Sequence, residues 1–209
     1  DSNSRAMFYR GGNTSNVAFE HLTIDTNGEY TGKYQPFRVR FAQNLRLTDM
    51  RLKTVGDGVA MDLWGGENLF LQGCEFIGYG TFPGDVNHLY IDDCDYYGTN
   101  DANVLIHIWG TEYVSITNCR AWDYDPTRDW GWAKGRFVTG AVSYGTVGYV
   151  YIGANETHDM APRPGADQNS GEQIMFEGDG RPTAAGVLAA TGDTVVLDAD
   201  PEQTPTEEW

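Results

Sequence analysis

Residues 68–76 of the chain read NLFLQGCEF, and residues 88–96 read HLYIDDCDY. In both stretches the apolar residues follow one another at spacings of two, three and two positions. A spacing of two is typical of a β-strand, because successive side chains point to opposite faces. The single spacing of three predicts a corner, after which apolar side chains point inward again.

The same pattern occurs in residues 16–24, 44–52, 113–121 and 149–157. Aligned, the six stretches give four columns, of which the first two are wholly aliphatic or aromatic. The first two columns are Val17, Leu45, Leu69, Leu89, Val114, Val150 and Phe19, Leu47, Leu71, Ile91, Ile116, Ile152. The other two are Leu22, Met50, Cys74, Cys94, Cys119, Asn155 and Ile24, Leu52, Phe76, Tyr96, Ala121, Thr157. The repeat lengths of 28, 24, 20, 25 and 36 residues are within or near the range of solenoid proteins.

A second alternating stretch precedes most of these segments, at residues 7–12, 59–66, 104–110, 140–145 and 173–178. A leucine-rich repeat would have a helix or 3₁₀ arc there, but no window shows a sustained 3.6-residue apolar period. We therefore predict an all-β parallel β-helix in residues 1–180, a solenoid of about six to seven rungs with long loop insertions at residues 26–36, 122–136 and 155–172. Residues 181–209 are predicted to form a C-terminal hairpin or the start of a further rung or domain, apparently truncated.

The rungs, together with turns such as GDGV at residues 56–59, resemble the right-handed parallel β-helix of the pectate-lyase-like superfamily over residues 5–180. The resemblance implies a right-handed coil and a polysaccharide lyase or glycoside hydrolase. Such lyases use a basic residue as the base and Ca²⁺ or Arg to neutralise a uronate, whereas the hydrolases use paired Asp residues. This chain has no Gly-His-Gly sequence, and its adjacent Asp92 and Asp93 lie at a predicted corner rather than in the setting of the hydrolases. The resemblance is therefore specific for architecture rather than for activity.

The composition excludes several partners. Fourteen Lys and Arg against thirty Asp and Glu give a net charge of −16, which argues against nucleic acid and anionic lipid. No apolar run approaches the roughly 18 residues of a membrane-spanning helix, so we expect no membrane insertion. The Gly-rich, Lys-poor, acidic composition is typical of a secreted or cell-surface protein, for which we expect a polysaccharide partner.

Aromatic residues in the second alternating stretch are candidates for substrate binding. Trp64, Trp109 and Tyr144 each precede a glycine, and the inward direction of Leu63 and Ile108 predicts that the three rings point outward. Outward rings suit stacking on sugar rings. The insertion at residues 122–136 adds further candidates, Trp130 and Trp132. Alternatively, this insertion folds over the three rings and buries them.

Charged residues share that outward face. Arg38, Asp62 and His107 lie two positions before the aromatic column, and Arg40 is level with Trp64. We predict that His107 and Arg38 or Arg40 handle protons or neutralise a carboxylate, and that Asp62 orients them or acts as the acid. The alternative is an ion-pair ladder along the coil.

The cysteines and an acidic loop give weaker indications. Cys74, Cys94 and Cys119 share one inward column, which predicts buried reduced thiols rather than a metal or redox site. Asp123, with the acidic residues at positions 125 and 129, could bind Ca²⁺, although a solvated loop is the simpler interpretation. We assign no metal site, and Ca²⁺ is the only cofactor under consideration.

Two functions remain open from the sequence. The first is a secreted polysaccharide lyase or glycoside hydrolase that acts on an acidic or neutral glycan. The alternative is a non-catalytic structural or adhesive module of a surface protein, tailspike or filament. No cap is legible at either end, so we expect a piece of a longer protein, or end-to-end or homo-oligomeric assembly.

Overall fold

The computed structural model describes residues 8–10, 14–25, 37–54, 59–98, 104–124, 136–141, 149–160, 174–176 and 184–187. Within these ranges all regular structure is β-strand. The strands are β1 Phe8–Arg10, β2 Thr14–Glu20, β3 Thr23–Asp25, β4 Phe37–Thr48, β5 Arg51–Lys53, β6 Val59–Gln72, β7 Glu75–Ile77, β8 Tyr79–Asp92, β9 Asp95–Tyr97, β10 Val104–Trp109, β11 Tyr113–Thr117, β12 Arg120–Tyr124, β13 Arg136–Ala141, β14 Tyr149–Gly153, β15 Glu156–Met160, β16 Ile174–Phe176 and β17 Ala184–Val187.

The strands stack into three faces. The first face has the order β1-β4-β6-β8-β10-β13-β16, and the third face has the order β15-β12-β9-β7-β5-β3. The second face contains β2, the later halves of β4, β6 and β8, and then β11, β14 and β17. Strands β4, β6 and β8 run continuously from the first face into the second. Neighbouring strands pair in parallel throughout, so the chain winds as a parallel β-solenoid, as the repeat pattern predicted.

The register confirms the four predicted columns. In the first column Val17 pairs with Leu45, and Leu45 pairs with Leu69. The fourth column continues in the same way, from Leu52 to Phe76 and then to Tyr96. From Leu45 to Ile152, the inward residues whose side chains the structure describes are almost fully buried and form one continuous core. Burial of this apolar surface is the main favourable term in the stability of the coil.

The corner between the second and third faces explains the apolar spacing of three. One residue at this corner has a left-handed backbone on each rung, with φ between 50° and 61°: His21, Asp49, Gly73, Asp93, Asn118 and Ala154. Its amide donates to the next rung, as from Asp49 N to Gln72 O at 3.0 Å. Asn, Asp and Gly tolerate this conformation better than most residues. The left-handed residue turns the chain, and the following residue points into the core.

The three cysteines lie in the core directly after this corner. Cys74, Cys94 and Cys119 are buried and free of disulfides. The Cys119 thiol donates to the Thr117 carbonyl at 3.2 Å. Desolvation by burial raises the pKa of Cys94 well above its ordinary value. Among the described residues no group of three or more His, Cys, Asp or Glu is placed to hold a metal ion.

The first face differs from the sequence prediction in two places. The beginning of β8 adds a strand between β6 and β10 that the alternation did not reveal. Its Pro83 and Gly84 are unusual in a strand interior and hide the pattern. In addition, β13 pairs Trp109 with Ala141. The predicted alignment of Trp109 with Tyr144 is therefore wrong by three residues.

Several predictions fall outside the described residues. They concern the insertion at residues 26–36, most of the insertions at 122–136 and 155–172, and a hairpin around residues 191–193. Before that hairpin, β17 pairs in parallel with β14. In the described part of the chain, no helix is long and apolar enough to cross a membrane.

Candidate functional site

The charged residues of the first face are arranged around one ion pair. Arg38 and Asp62 are level on β4 and β6, and the Arg38 Nε lies 2.9 Å from the Asp62 Oδ2. The two side chains are only 17% and 7% exposed. Asp62 alternates with the inward residues Met61 and Leu63 and therefore points outward. Its side chain is nevertheless largely removed from solvent.

Burial controls the protonation of Asp62. Desolvation raises its pKa from 3.8 to about 6, and the Arg40 guanidinium acts in the opposite direction. The Arg40 Nε is itself buried without a hydrogen-bond partner. Two guanidinium groups thus flank one carboxyl group that titrates close to neutrality. This arrangement can transfer a proton near neutral pH, provided that a substrate reaches it.

His107 is not adjacent to Asp62. Strand β8 lies between β6 and β10, and its register places Phe82 level with Asp62 and with His107. Two strand spacings, about 9–10 Å, therefore separate the backbones of Asp62 and His107. His107 is 4% exposed. Burial lowers its pKa from 6.5 to about 3, so its imidazole is neutral at pH 7.

The aromatic column of the first face is interrupted. Arg40 pairs with Trp64 as predicted, but Gly84 lies level with both Trp64 and Trp109. Ala141 takes the next position. The two tryptophans are thus two strands apart, and the face has no unbroken row of rings at this level. The other predicted substrate-binding residues, Tyr144, Trp130 and Trp132, lie outside the described residues.

The second face carries a continuous row of rings that the sequence analysis missed. We call it the aromatic file. Its rings lie on successive rungs and are Phe70, Tyr90, Tyr113 and Tyr149, and the Arg46 guanidinium extends the row by one rung. The Arg46 guanidinium lies 5.3 Å from the Phe70 ring, which stacks on Tyr90 at 4.9 Å. Tyr90 lies 5.7 Å from Tyr113, which stacks on Tyr149 at 5.2 Å. All four rings are partly buried rather than enclosed.

The file changes column at Ser115. Ser115 is level with Tyr90, whereas Tyr113 is level with His88. The Tyr113 ring nevertheless lies closer to Tyr90, at 5.7 Å, than to His88, at 6.1 Å. Tyr113 therefore leans along its strand toward the space above the small Ser115, with a tilt of 45° to Tyr90. Burial and the neighbouring phenols, Tyr149 first, raise the pKa of Tyr113.

A row of hydrogen-bonding side chains runs beside the aromatic file. We call it the polar row, and its members are Thr48, Gln72, Asp92 and Thr117, which pair in sequence across β4, β6, β8 and β11. The Thr117 hydroxyl donates to the Asp92 carboxylate at 2.8 Å. Asn118 also donates to this carboxylate, at 2.8 Å.

An amide ladder lies at the start of the second face. Asn68 donates to Asn44 at 2.6 Å, and Asn44 donates to Asn16 at 2.9 Å. Each amide therefore links one rung to the next.

The third face carries ion pairs and one ring pair. The Arg51 Nε lies 2.9 Å from Glu75, and the Arg120 Nε donates to Asp95 at 2.6 Å. On the other outward column of this face, Tyr97 and Trp122 stack at 4.8 Å. The same outward contacts between adjacent rungs thus occur on all three faces.

The signal for the aromatic file was present in the sequence. Phe70 and Tyr90 occupy the outward position between the first and second apolar columns of the aligned stretches, and Tyr113 and Tyr149 directly precede the first column. Strand alternation therefore predicts that these four rings point outward on the second face, although it does not predict the lean of Tyr113.

No family model matches the chain, and no curated protein and no solved structure is similar enough to count as a match. Any functional conclusion therefore depends on the geometry of its own residues.

Proposed function

We propose that the chain is a rigid, non-catalytic module of a secreted or cell-surface protein, with a structural or adhesive role. One observation carries the proposal: outward side chains on each face contact their counterparts on the next rung. Arg38 pairs with Asp62 on the first face, the aromatic file stacks on the second, and Arg51 pairs with Glu75 on the third.

These contacts favour stiffness over catalysis. Cross-strand pairs stabilise a sheet by roughly 0.2–1 kcal/mol each, and here they repeat along the coil axis. A catalytic group, by contrast, must reach the atoms of its substrate. Asp62 and His107 are nearly removed from solvent, and Asp62 already faces a guanidinium group.

We also propose that the coil is right-handed and belongs to the pectate-lyase-like superfamily. Its three parallel faces and its stacked inward columns support this assignment. The acidic, Lys-poor composition supports a location outside the cell. Many unrelated functions occur on one scaffold, so this assignment does not by itself imply catalysis.

A lyase or hydrolase is the second candidate, and the titration of Asp62 favours it. A carboxyl group with a pKa of about 6 can act as an acid or a base near neutral pH. Arg38 and Arg40 would then neutralise a uronate carboxylate beside it. In this case the substrate must gain access to a side chain that is 7% exposed.

One assay separates the two candidates. The full chain is incubated with pectate, alginate, ulvan, glycosaminoglycans and neutral glycans, and both unsaturated uronates and new reducing ends are measured. We expect neither product from any substrate. Product that forms with the native chain and is lost in the Asp62→Asn variant would overturn the non-catalytic proposal. Asp25→Asn, on the third face, is the matched control.

A further inference from the structure

Four tyrosines surround one position of the second face. Tyr113 contacts both Tyr90 and Tyr149, and Tyr151 lies level with Ser115, toward which Tyr113 leans. All four side chains are partly exposed. Burial first, and then the phenols of the other three tyrosines, raise the pKa of Tyr113. The four phenol groups therefore lie close together, and we call them the tyrosine cluster.

A phenol can be oxidised in a way that the phenylalanine ring of the file cannot. It loses one electron to an oxidant and its hydroxyl proton to water, which leaves a radical that is shared with the ring carbons next to the oxygen. Two such radicals combine by forming a bond between these carbons. The hydrogens on the joined carbons then move to the oxygens, which restores two phenols as dityrosine. The pair has lost two electrons and two protons in total.

The ring geometry favours one pair within the cluster. Tyr113 and Tyr149 are nearly parallel, at 10°, with their centroids 5.2 Å apart. Parallel rings present their faces to each other, whereas the new bond must join carbons at the ring edges. Tyr90 and Tyr113 are tilted by 45° at 5.7 Å, and a tilt of this kind turns the edge of one ring toward its neighbour. The bond should therefore form between Tyr90 and Tyr113.

Access and rigidity also favour a reaction at this place. Because both phenols are partly exposed, an oxidant can reach them and water can accept their protons. Tyr96, by contrast, is enclosed in the core. The registered strands β8 and β11 hold the two reacting rings in place. Groups fixed in this way react as if present at high concentration, about 10⁵–10⁸ M for the best oriented pairs.

We propose that Tyr90 and Tyr113 are a site of oxidative modification, at which a dityrosine cross-link joins β8 to β11. The oxidant is of the one-electron class, a peroxidase with hydrogen peroxide, and the peroxide takes up the two electrons and two protons to give two molecules of water. The cross-link connects two successive rungs covalently. This inference goes beyond the proposed function and does not depend on it, since it requires only two accessible rings in contact.

Limited oxidation of the full chain tests this inference. The chain is treated at low concentration with a peroxidase and a limiting amount of hydrogen peroxide, and dityrosine is measured by its fluorescence. Digestion after Asp and Glu separates Tyr90 from Tyr113, because Asp92 and Glu112 lie between them. Mass spectrometry then identifies the joined peptides. We expect a monomeric product with Tyr90 joined to Tyr113. It should melt several degrees higher than the untreated chain, since the link closes a loop in the unfolded state.

Variants that keep each ring test which phenols react. Tyr90→Phe and Tyr113→Phe should each lower the yield of the joined peptides by about tenfold or more, because the remaining phenol has lost its fixed partner. Tyr149→Phe removes the phenol of the stacked neighbour and should leave the yield unchanged. Tyr97→Phe is the matched control on the third face, where Tyr97 stacks on Trp122, and should also leave it unchanged. Circular dichroism checks that each variant is folded before oxidation.

The contrary outcomes are distinct from those of the proposed function. A tyrosine derivative oxidised in parallel shows that the oxidant is active. With that control positive, absence of dityrosine in the chain would overturn the inference. A link from Tyr113 to Tyr149, or links formed only between separate chains, would also overturn it, because the tilted pair would then not be the one that reacts. The assay with polysaccharides tests the non-catalytic role separately.

Discussion

The first and second faces of the coil obey the same alternation but differ in what their outward residues do. On the first face, Asp62 and His107 point away from the core and yet are nearly buried. On the second face, Tyr90 and Tyr113 remain partly exposed, and their rings contact each other at 5.7 Å with a tilt of 45°. Outward direction follows from strand geometry. Exposure to solvent depends on what surrounds each face. The outward residues of the two faces therefore differ in their pKa values and in their access to solvent.

The largest expected effect is pH dependence on the first face, where two buried groups act in opposite directions. The pKa of His107 is about 3 in the folded chain against 6.5 ordinarily, so its contribution to stability is full above pH 6.5 and is lost as the pH falls toward 3. The pKa of Asp62 is about 6 against 3.8, so its contribution is full below pH 3.8 and is lost as the pH rises through 6. In the native chain the two effects partly cancel.

Single variants should reveal how the free energy of unfolding depends on pH through each group. Between pH 7 and pH 4, the free energy of unfolding of Asp62→Asn should fall by about 3 kcal/mol relative to Asp62→Asn/His107→Gln, which lacks both groups. His107→Gln should instead gain about 2 kcal/mol relative to the same double variant. Urea unfolding at several pH values measures both changes. Parallel curves for all three variants would contradict the burial of these groups.

The second prediction compares a buried ion pair with an exposed one. Asp62→Ala leaves the Arg38 guanidinium, 17% exposed, without its carboxylate and should cost about 2–3 kcal/mol of unfolding free energy at pH 7. Asp25→Ala breaks the Lys53 pair, in which both side chains are 41% exposed, and should cost less than about 1 kcal/mol. Urea denaturation measures both.

A double variant shows whether the cost of Asp62→Ala comes from the unpaired Arg38 charge or from lost packing. Arg38→Leu with Asp62→Leu removes both charges and should be more stable than Asp62→Ala alone, since an apolar pair of similar size replaces the ions. Equal stability of the two would show that the cost comes from lost packing and not from an unpaired charge.

The sequence predicted the interior of the coil better than its outer surface. The columns through Leu69, Leu71 and Phe76 were correct because the apolar period depends only on local backbone geometry. The beginning of β8 was missed because Pro83 and Gly84 interrupt that period. As a result, the sequence predicted that Asp62 and His107 lie on neighbouring strands, whereas β8 lies between them.

The candidate site was harder to predict than the fold. Arg38 and Asp62 were placed level, and the structure pairs them. Their burial could not be read from alternation, which gives direction and not solvent access. The contact from Tyr90 to Tyr113 also depends on a side chain that leans across Ser115, and such a lean has no sequence period.

The third prediction tests the file on the second face. Tyr113→Ala removes the tilted ring contact with Tyr90 and the stacking with Tyr149, and should lower the unfolding free energy by about 1–2 kcal/mol. Tyr113→Phe keeps both ring contacts and should change stability by less than about 0.5 kcal/mol. A double-mutant cycle with Tyr90→Ala should show a coupling of about 0.5–1 kcal/mol. Zero coupling would mean that the file is not continuous at Ser115.

The smallest expected effect belongs to the third face, where ion pairs lie in solvent. Arg51→Ala should cost only about 0.5 kcal/mol, because Arg51 is 53% exposed and its partner Glu75 is 34% exposed. Even this cost should disappear near 1 M salt, where screening acts over about 3 Å. Urea unfolding at low and high salt measures the difference.

Under the same salt the first-face cost of Asp62→Ala should persist, since buried pairs are screened much less. If salt abolished both costs equally, the ion pair of the first face would not be more shielded from solvent than the ion pair of the third face.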